Sequence, residues 1–391
     1  MMKWMLNGSG RPWKYWIINP ERQNNMNDIL QIVKEFRIDG TASAFERVGS
    51  GHINDSYRIA ISPAGLPGYF LQRINHQIFK DIPLLTDNIL KVTKHISEKI
   101  RLAGPCIQCV GLSLVPARDG HFFYRDDEGN YWRMFNFIGG SRSFDQVPNA
   151  GLAYEGGKAF GLFLRLTADL DADSLSETIK DFHNIKTRLA AFKKTCEEDP
   201  YKRAEEAKNE ILFIEERSAG MHKILKLGLS GRIPLRVTHN DTKFNNILFD
   251  ENDKAICIVD LDTVMPGYVL YDFGDAIRTG ANTGAEDEAD LEKVNINMEL
   301  FEAYCRGFLE SAGRSLTLEE KSHLAFSARF MTFIIGLRFL TDFLAGDTYY
   351  KIHFPGHNIQ RARAQFRLVQ SMEQNASSME RIISDLCKSN S

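Results

Sequence analysis

Thr238-His239-Asn240-Asp241-Thr242-Lys243-Phe244-Asn245-Asn246 runs directly into an apolar triplet, Ile247-Leu248-Phe249. A polar turn, Asp250 to Lys254, separates it from a second apolar run, Ala255 to Val259, which ends in Asp260-Leu261-Asp262. Two short strands joined by a tight turn, with acids and amides at their outer ends, predict a hairpin that holds charge at one edge. A carboxylate at Asp241 can accept the proton of a hydroxyl nucleophile. The Asn246 amide oxygen and the Asp260 carboxylate are hard oxygen ligands of the kind magnesium takes. Phosphoryl transfer asks little covalent chemistry of a protein. It needs a positioned nucleophile and cations that offset phosphate charge, and the stretch has groups for both.

The offsets match the protein-kinase catalytic loop, in which an asparagine follows the base by five residues and the metal-binding Asp lies roughly twenty residues beyond it. Here that Asp is Asp260. A literal Asp272-Phe273-Gly274 lies outside the hairpin, about thirty residues past Asp241, and Asp272 reads as a structural acid. His-Asn-Asp and Asp-Leu-Asp, standing where protein kinases have His-Arg-Asp and Asp-Phe-Gly, resemble the aminoglycoside phosphotransferases and choline kinases.

The chain has 391 residues, 43% hydrophobic and 25% charged, with a net charge of −3. That length suggests two or three structural units of an ordinary globular protein. The charge supplies no electrostatic reason to expect nucleic acid or an anionic membrane as partner. Phe330 to Leu340, the longest apolar stretch, is interrupted by Thr332 and Arg338 and is short of a membrane span. Near the first residue there is no apolar run of signal-peptide length. The six cysteines are scattered, so cytosolic thiols and a cytoplasmic location are expected. Cys106 and Cys109 have CxxC spacing without a second pair, and read as core or loop residues rather than a zinc site.

Upstream, Ile29, Ile32, Val33 and Phe36 recur at helical spacing and predict a short amphipathic helix. Next, Phe45 to Asn54, containing Gly49-Ser50-Gly51-His52-Ile53-Asn54, is followed by alternating Tyr57, Ile59 and Ile61: strand, glycine turn, strand. Glycines let backbone N–H groups approach phosphate oxygens that a Cβ would obstruct. Alone, such a turn is ordinary; ahead of a kinase-like loop it reads as a nucleotide cover, with Asn54 where protein kinases have a third glycine. Tyr69 to Ile74 predicts the third strand, but it lacks the phosphate-pairing lysine of protein kinases. Gln72 or Arg73 takes that part, or the site does without it. Alternation puts Phe70 and Gln72 on one face, Leu71 and Arg73 on the other.

A helix over Leu84–Ile100 and a hairpin over Phe122–Phe137 follow, then Phe137-Ile138-Gly139-Gly140-Ser141 as a hinge. Helical periodicity dominates from Tyr154. Leu189–Leu225 reads as one long charged helix, Glu286–Asp290 as a solvated acidic loop, and Met298–Leu309, Leu318–Phe343 and Arg361–Leu386 as the remaining helices. Arg338 stands in a strongly apolar helix, where an unpaired guanidinium is costly. It therefore pairs with an acid, Asp342 or Asp272, or lines a polar cleft.

Beyond the catalytic loop, Gly49 to Asn54, Phe70 to Asn75, Asp260 to Gly267 and Tyr271 to Asp275 resemble the N-acetylhexosamine 1-kinases. So do Leu337-Arg338-Phe339-Leu340-Thr341-Asp342 and Gly346-Asp347-Thr348-Tyr349. The resemblance spans roughly residues 40 to 372. It implies an α+β, two-lobed, protein-kinase-like fold, with a small, mostly antiparallel N-lobe at 26–138 and a larger, mainly helical C-lobe at 139–391. Residues 1–25 form an arm or extension outside it. It further implies ATP- and magnesium-dependent phosphorylation of N-acetylglucosamine or N-acetylgalactosamine at the anomeric hydroxyl, giving the 1-phosphate and ADP. By motif, Asp241 is the base, Lys243 reaches the γ-phosphate, and Asn246 and Asp260 bind metal, with Asp262 a candidate for a second ion. Gly49, Ser50, Gly51, Asn54 and Gln72 or Arg73 face nucleotide, while Thr263, Arg338 and Tyr349 face sugar. A kinase for amino sugars, choline or homoserine, or an inactive nucleotide-binding module, are the alternative readings.

Overall fold

Tyr57, Ile59 and Ile61, Tyr69 and Leu71, and Trp132 and Met134 each fall two residues apart, so in extended chain each set shares one face. The computed structural model, which describes residues 28–48, 54–104 and 109–389, assembles them into one antiparallel sheet. Its strands are β1 (Thr41–Arg47), β2 (Asp55–Ser62), β3 (Tyr69–Ile74), β4 (Leu114–Val115), β5 (Tyr124–Arg125) and β6 (Tyr131–Asn136), in the order β1-β2-β3-β6-β4 with β5 also on β6. Helix α1, over 28–34, places Ile29 and Val33 in a core with Ile59, Leu71, Trp132 and Met134. Segments 1–74 and 114–137 form this unit; 75–113 and 138–391 form the other.

The second unit is mainly helical: α2 (Ile82–Ala103), α3 (Ala150–Thr167), α4 (Ile185–Glu198), α5 (Lys208–Met221), α6 (Lys223–Leu229), α7 (Val269–Gly280), α8 (Met298–Ala312), α9 (Leu318–Ser322), α10 (Leu324–Leu344), α11 (His357–Gln374) and α12 (Ala376–Ser389). Two small antiparallel pairs join them, β7 (Arg236–Thr238) with β10 (Met265–Gly267), and β8 (Ile247–Phe249) with β9 (Ala255–Ile258). This is the mixed α+β architecture expected. Helix α2 groups with the helical unit, because Asn88 donates to the Ser176 and Val264 carbonyls and Lys99 and His95 pair with Asp169. Helices α3 and α8 touch backbone to backbone: a Cβ on Gly157 would lie 2.1 Å from the Tyr304 oxygen, and one on Gly307 2.0 Å from the Tyr154 oxygen.

Three predicted long helices are broken. Leu189–Leu225 is interrupted after Glu198, where Asp199 turns left-handed ahead of Pro200 and its carboxylate accepts from the Arg203 and Ala204 N–H groups. Leu318–Phe343 breaks at His323, and Arg361–Leu386 at Asn375. The acidic loop is not simply solvated, since Glu286 pairs with buried Arg278 and Asp287 with buried His357. Helix α10 is long and apolar enough to cross a membrane by length and composition, yet 83% of its apolar window is buried inside the protein. It is the spine of the helical core.

Candidate active site

The loop carrying Asp241 leaves β7, and β10 lies beside β7 with Met265 opposite Thr238. Glycine is required at Gly267, where a Cβ would stand 2.3 Å from the Thr238 hydroxyl. Asn240, left-handed at φ 63°, is held by bonds at its backbone N–H, its carbonyl and its side-chain nitrogen. Its amide nitrogen donates to Thr238 Oγ1 and to the Thr263 carbonyl, its N–H to Asp272 Oδ1, and its carbonyl accepts from His183 Nε2 at 3.1 Å. Asp272 also accepts the His239 N–H, and its backbone oxygen takes the Thr242 hydroxyl. The Asp-Phe-Gly acid is therefore structural. From the first turn of α7 it holds the residues on both sides of Asp241.

Asp241 Oδ1 lies 3.0 Å from Lys243 Nζ, and Asn246 Nδ2 donates to the Asp241 carbonyl at 2.8 Å and to Oδ2 at 3.2 Å. Burial alone would push the Asp241 carboxyl up, but the ammonium of Lys243, with His239 and Arg278 behind it, holds it below its ordinary value. It thus stays ionised and able to take a proton. Asp272 differs: burial pushes it up to about 7 against the two backbone donors. His239, buried and bonded to the Val259 carbonyl, is pushed down by burial.

The β8–β9 hairpin closes through a turn in which Asp250 Oδ1 accepts the Asn252 and Lys254 N–H groups. At its open end Asn246 is buried, while Asp260, left-handed at φ 62°, is exposed. Because the Asn246 nitrogen donates to Asp241, its amide oxygen is turned the other way. One carboxylate and one amide oxygen suit a cation that keeps most of its shell as water and phosphate oxygen, as magnesium does. Among the described residues no three His, Cys, Asp or Glu side chains converge as a metal cluster. Asp262 is buried, so the two acids differ in access, and Asp260 is the one open to solvent.

Thr263 donates its hydroxyl to the His239 carbonyl, which ties it to the catalytic loop. Arg338, 9% exposed, pairs with neither Asp342 nor Asp272. Its guanidinium lies over the rings of Phe182 at 4.7 Å, Tyr350 at 5.6 Å and Tyr349 at 5.8 Å. Arg188, which donates to the Phe182 carbonyl, approaches the same residue. Burial, then the charge of Arg338, lowers Arg188, and the same two causes push His183 down to about 3, so this imidazole is neutral. His183 packs against Phe182 with the rings tilted, 4.4 Å between centroids, and bonds to the carbonyl of Asn240. A short chain of contacts thus runs from Asn240, beside Asp241, to Arg338. Sequence reasoning missed Phe182, His183, Arg188 and Tyr350. An apolar–imidazole pair followed by Arg at a helix start carries no chemical pattern by itself.

On the sheet unit, Ser56, Gln72 and Arg133 are neighbours across three strands. Gln72 Oε1 accepts from Arg133 Nη2 at 2.8 Å, and its nitrogen donates to Ser56 Oγ. Arg73 instead pairs with Asp55, which also holds Arg47. Arg133, 1% exposed, is a further residue the sequence did not single out; an arginine in an aromatic strand was its only signal. Asn54 precedes β2, while Gly49, Ser50 and Gly51 lie outside the described residues.

An antiparallel sheet unit, a helical unit, and a loop that brings Asp241, Lys243 and Asn246 together ahead of Asp260 match the layout of protein-kinase-like phosphotransferases. A profile of the phosphotransferase enzyme family (APH) matches residues 44–313, more than half of the chain. The chain belongs to that family, and it shares its fold with solved small-molecule kinases. Similar solved structures include a microcompartment-associated aminopropanol kinase (14% identity, 90% of this chain and 98% of that one, TM-score 0.55). A choline kinase from Cryptosporidium parvum Iowa II matches at 13% identity over 92% and 99% of the two chains, TM-score 0.54. Amicoumacin kinase hAmiN, in complex with AMP-PNP, Ca2+ and Ami, matches at 11% over 90% and 96%, TM-score 0.57.

Proposed function

We propose that the protein transfers the γ-phosphoryl group of ATP to the anomeric hydroxyl of a neutral N-acetylhexosamine, N-acetylglucosamine or N-acetylgalactosamine. The observation that carries this reading is the guanidinium of Arg338, held by three rings with no acid partner among the described residues and linked through Phe182 and His183 to the residue beside Asp241. Such a site has donors for hydroxyl and acetamido oxygens. Choline and aminopropanol, for which two of the similar structures are named, are cationic acceptors, and two arginines would repel them. The choice of hydroxyl rests on the resemblance to N-acetylhexosamine 1-kinases.

In this reading Asp241, ionised through its pairing with Lys243, accepts the proton of the acceptor hydroxyl as its oxygen attacks phosphorus. Lys243 offsets the charge that develops on the transferring group. Asn246 and Asp260 would hold the magnesium that neutralises phosphate oxygens when bound. On the sheet unit, the Ser56–Gln72–Arg133 row supports a nucleotide phosphate contact at Gln72 rather than at Arg73, whose charge is committed to Asp55.

The test is ATP-dependent turnover of N-acetylglucosamine and its methyl glycoside, with choline, ethanolamine and glucosamine alongside. Phosphorylation of the free sugar and none of the glycoside is expected, because the glycoside's anomeric oxygen has no proton for Asp241. Comparable turnover of the glycoside would place the phosphate elsewhere on the ring. Preference for choline would remove the sugar reading altogether.

A further inference from the structure

Asp342 follows Arg338 by four residues on α10, the spacing at which an acid and an arginine ordinarily pair along a helix. Its carboxylate turns elsewhere. Oδ1 accepts from the Thr348 N–H at 2.9 Å and the Tyr349 N–H at 2.8 Å; Oδ2 accepts from the Tyr350 N–H at 2.9 Å and from Asn358 Nδ2 at 2.9 Å. Four donors saturate a carboxylate that is only 6% exposed.

The path of the chain explains the convergence. After Leu344, Gly346 and Asp347 are both left-handed, at φ 90° and 59°. That reversal points three successive N–H groups back at the helix, a concavity that binds an anion. Asp347 secures the turn by accepting from Arg203 Nη1 at 2.6 Å and from Asn358 Nδ2 at 2.8 Å. Tyr350 leaves it packed on Phe339, centroids 4.7 Å apart, with Tyr349 edge-on to it at 4.8 Å. These two tyrosines are two of the three rings around Arg338.

We propose that Asp342 is a positioning residue for acceptor recognition. By gathering the N–H groups of Thr348, Tyr349 and Tyr350 it fixes two walls of the Arg338 cage. By being saturated there, it leaves the Arg338 charge for the acceptor instead of cancelling it one turn away. The inference rests on Arg338 being an acceptor contact, and its own content is that a residue without contact to the acceptor sets that site.

The test compares wild type, Asp342→Ala and Asp342→Asn in two readouts. The first is hydrogen exchange at the amides of Thr348, Tyr349 and Tyr350, which needs no acceptor. Exchange at least about tenfold faster in the Ala variant is expected. The Asn variant should retain protection at Thr348 and Tyr349, where one oxygen remains, and lose it at Tyr350, where an NH2 would face the N–H. The second is a split in kinetics: KM for N-acetylglucosamine rising about tenfold or more while KM for ATP stays within about twofold. A carboxylate needed only for folding would lower the melting temperature and move both constants together. If the Ala variant does not fold, the Asn variant carries both readouts. Unchanged amide protection, or unchanged acceptor KM beside faster exchange, overturns the proposal. Failure of wild type to phosphorylate N-acetylglucosamine defeats the acceptor reading instead, and exchange alone then decides whether Asp342 orders the segment.

Discussion

Replacing Arg338 with methionine removes a charge while keeping a long side chain among Phe182, Tyr349 and Tyr350. Breaking the ring contacts at 4.7, 5.8 and 5.6 Å forfeits about 0.5–2 kcal/mol of cation–π attraction. Sulfur–aromatic contacts return about 0.3–1.5 kcal/mol, and the desolvation cost of a buried charge disappears. No ion pair is broken, so folding stability should change by less than about 1 kcal/mol. A charged donor to an acceptor oxygen contributes about 1.5–3 kcal/mol, which is about 10–150-fold in kcat/KM for N-acetylglucosamine. The assay is ADP release at saturating ATP with the acceptor varied, beside a thermal melt. Glucosamine adds a second arm. Below the pKa of its amine, an ammonium about 6 Å from the guanidinium is repelled by about 0.7–2.8 kcal/mol, so preference for the N-acetyl sugar should shrink about 3–100-fold in the variant. Unchanged kcat/KM with an unchanged melt would show that Arg338 does not touch the acceptor. A collapsed melt would make it structural.

Asp241→Asn should lose about 10²–10⁴ in turnover while still binding nucleotide, and a variant keeping more than about a tenth of activity would acquit Asp241 as the base. Lys243→Met removes the main partner holding Asp241 low, so the acid limb of kcat/KM should move to higher pH; a stationary limb would assign it to another group. Asp272, with burial raising it to about 7, contributes stability that is fully present below its unfolded pKa of about 3.9 and lost as pH rises through about 7. Wild type should therefore lose stability relative to Asp272→Asn between about pH 4 and 7, and parallel melting curves would contradict the raised pKa. Gln72→Ala should raise KM for ATP, since it also releases Arg133, whereas Arg73→Ala should not; the reverse result would move the phosphate contact to Arg73. Asp260→Asn should shift turnover to higher magnesium, and an unaltered magnesium curve would send the metal role to Asp262.

The local chemistry of the site was legible in the order of residues. Periodicity placed the sheet strands and the β8–β9 hairpin, and offsets along one short loop set Asp260 at the hairpin end apart from Asp272 on α7, because a loop and a hairpin are near in space when near in sequence. Helix ends were less legible, since breaks at Asp199, His323 and Asn375 depend on single turns inside otherwise periodic segments. The sequence named Arg338 and Tyr349, but not what surrounds them. Arg338 and Asp342 stand four residues apart and look like an ion pair, yet packing folds the segment after α10 back so that three backbone N–H groups claim the carboxylate. Phe182, His183 and Arg188 come from a segment more than a hundred residues earlier in the chain. A charge has no partner or freedom until the fold decides which donors reach it first, and that decision belongs to the tertiary structure alone.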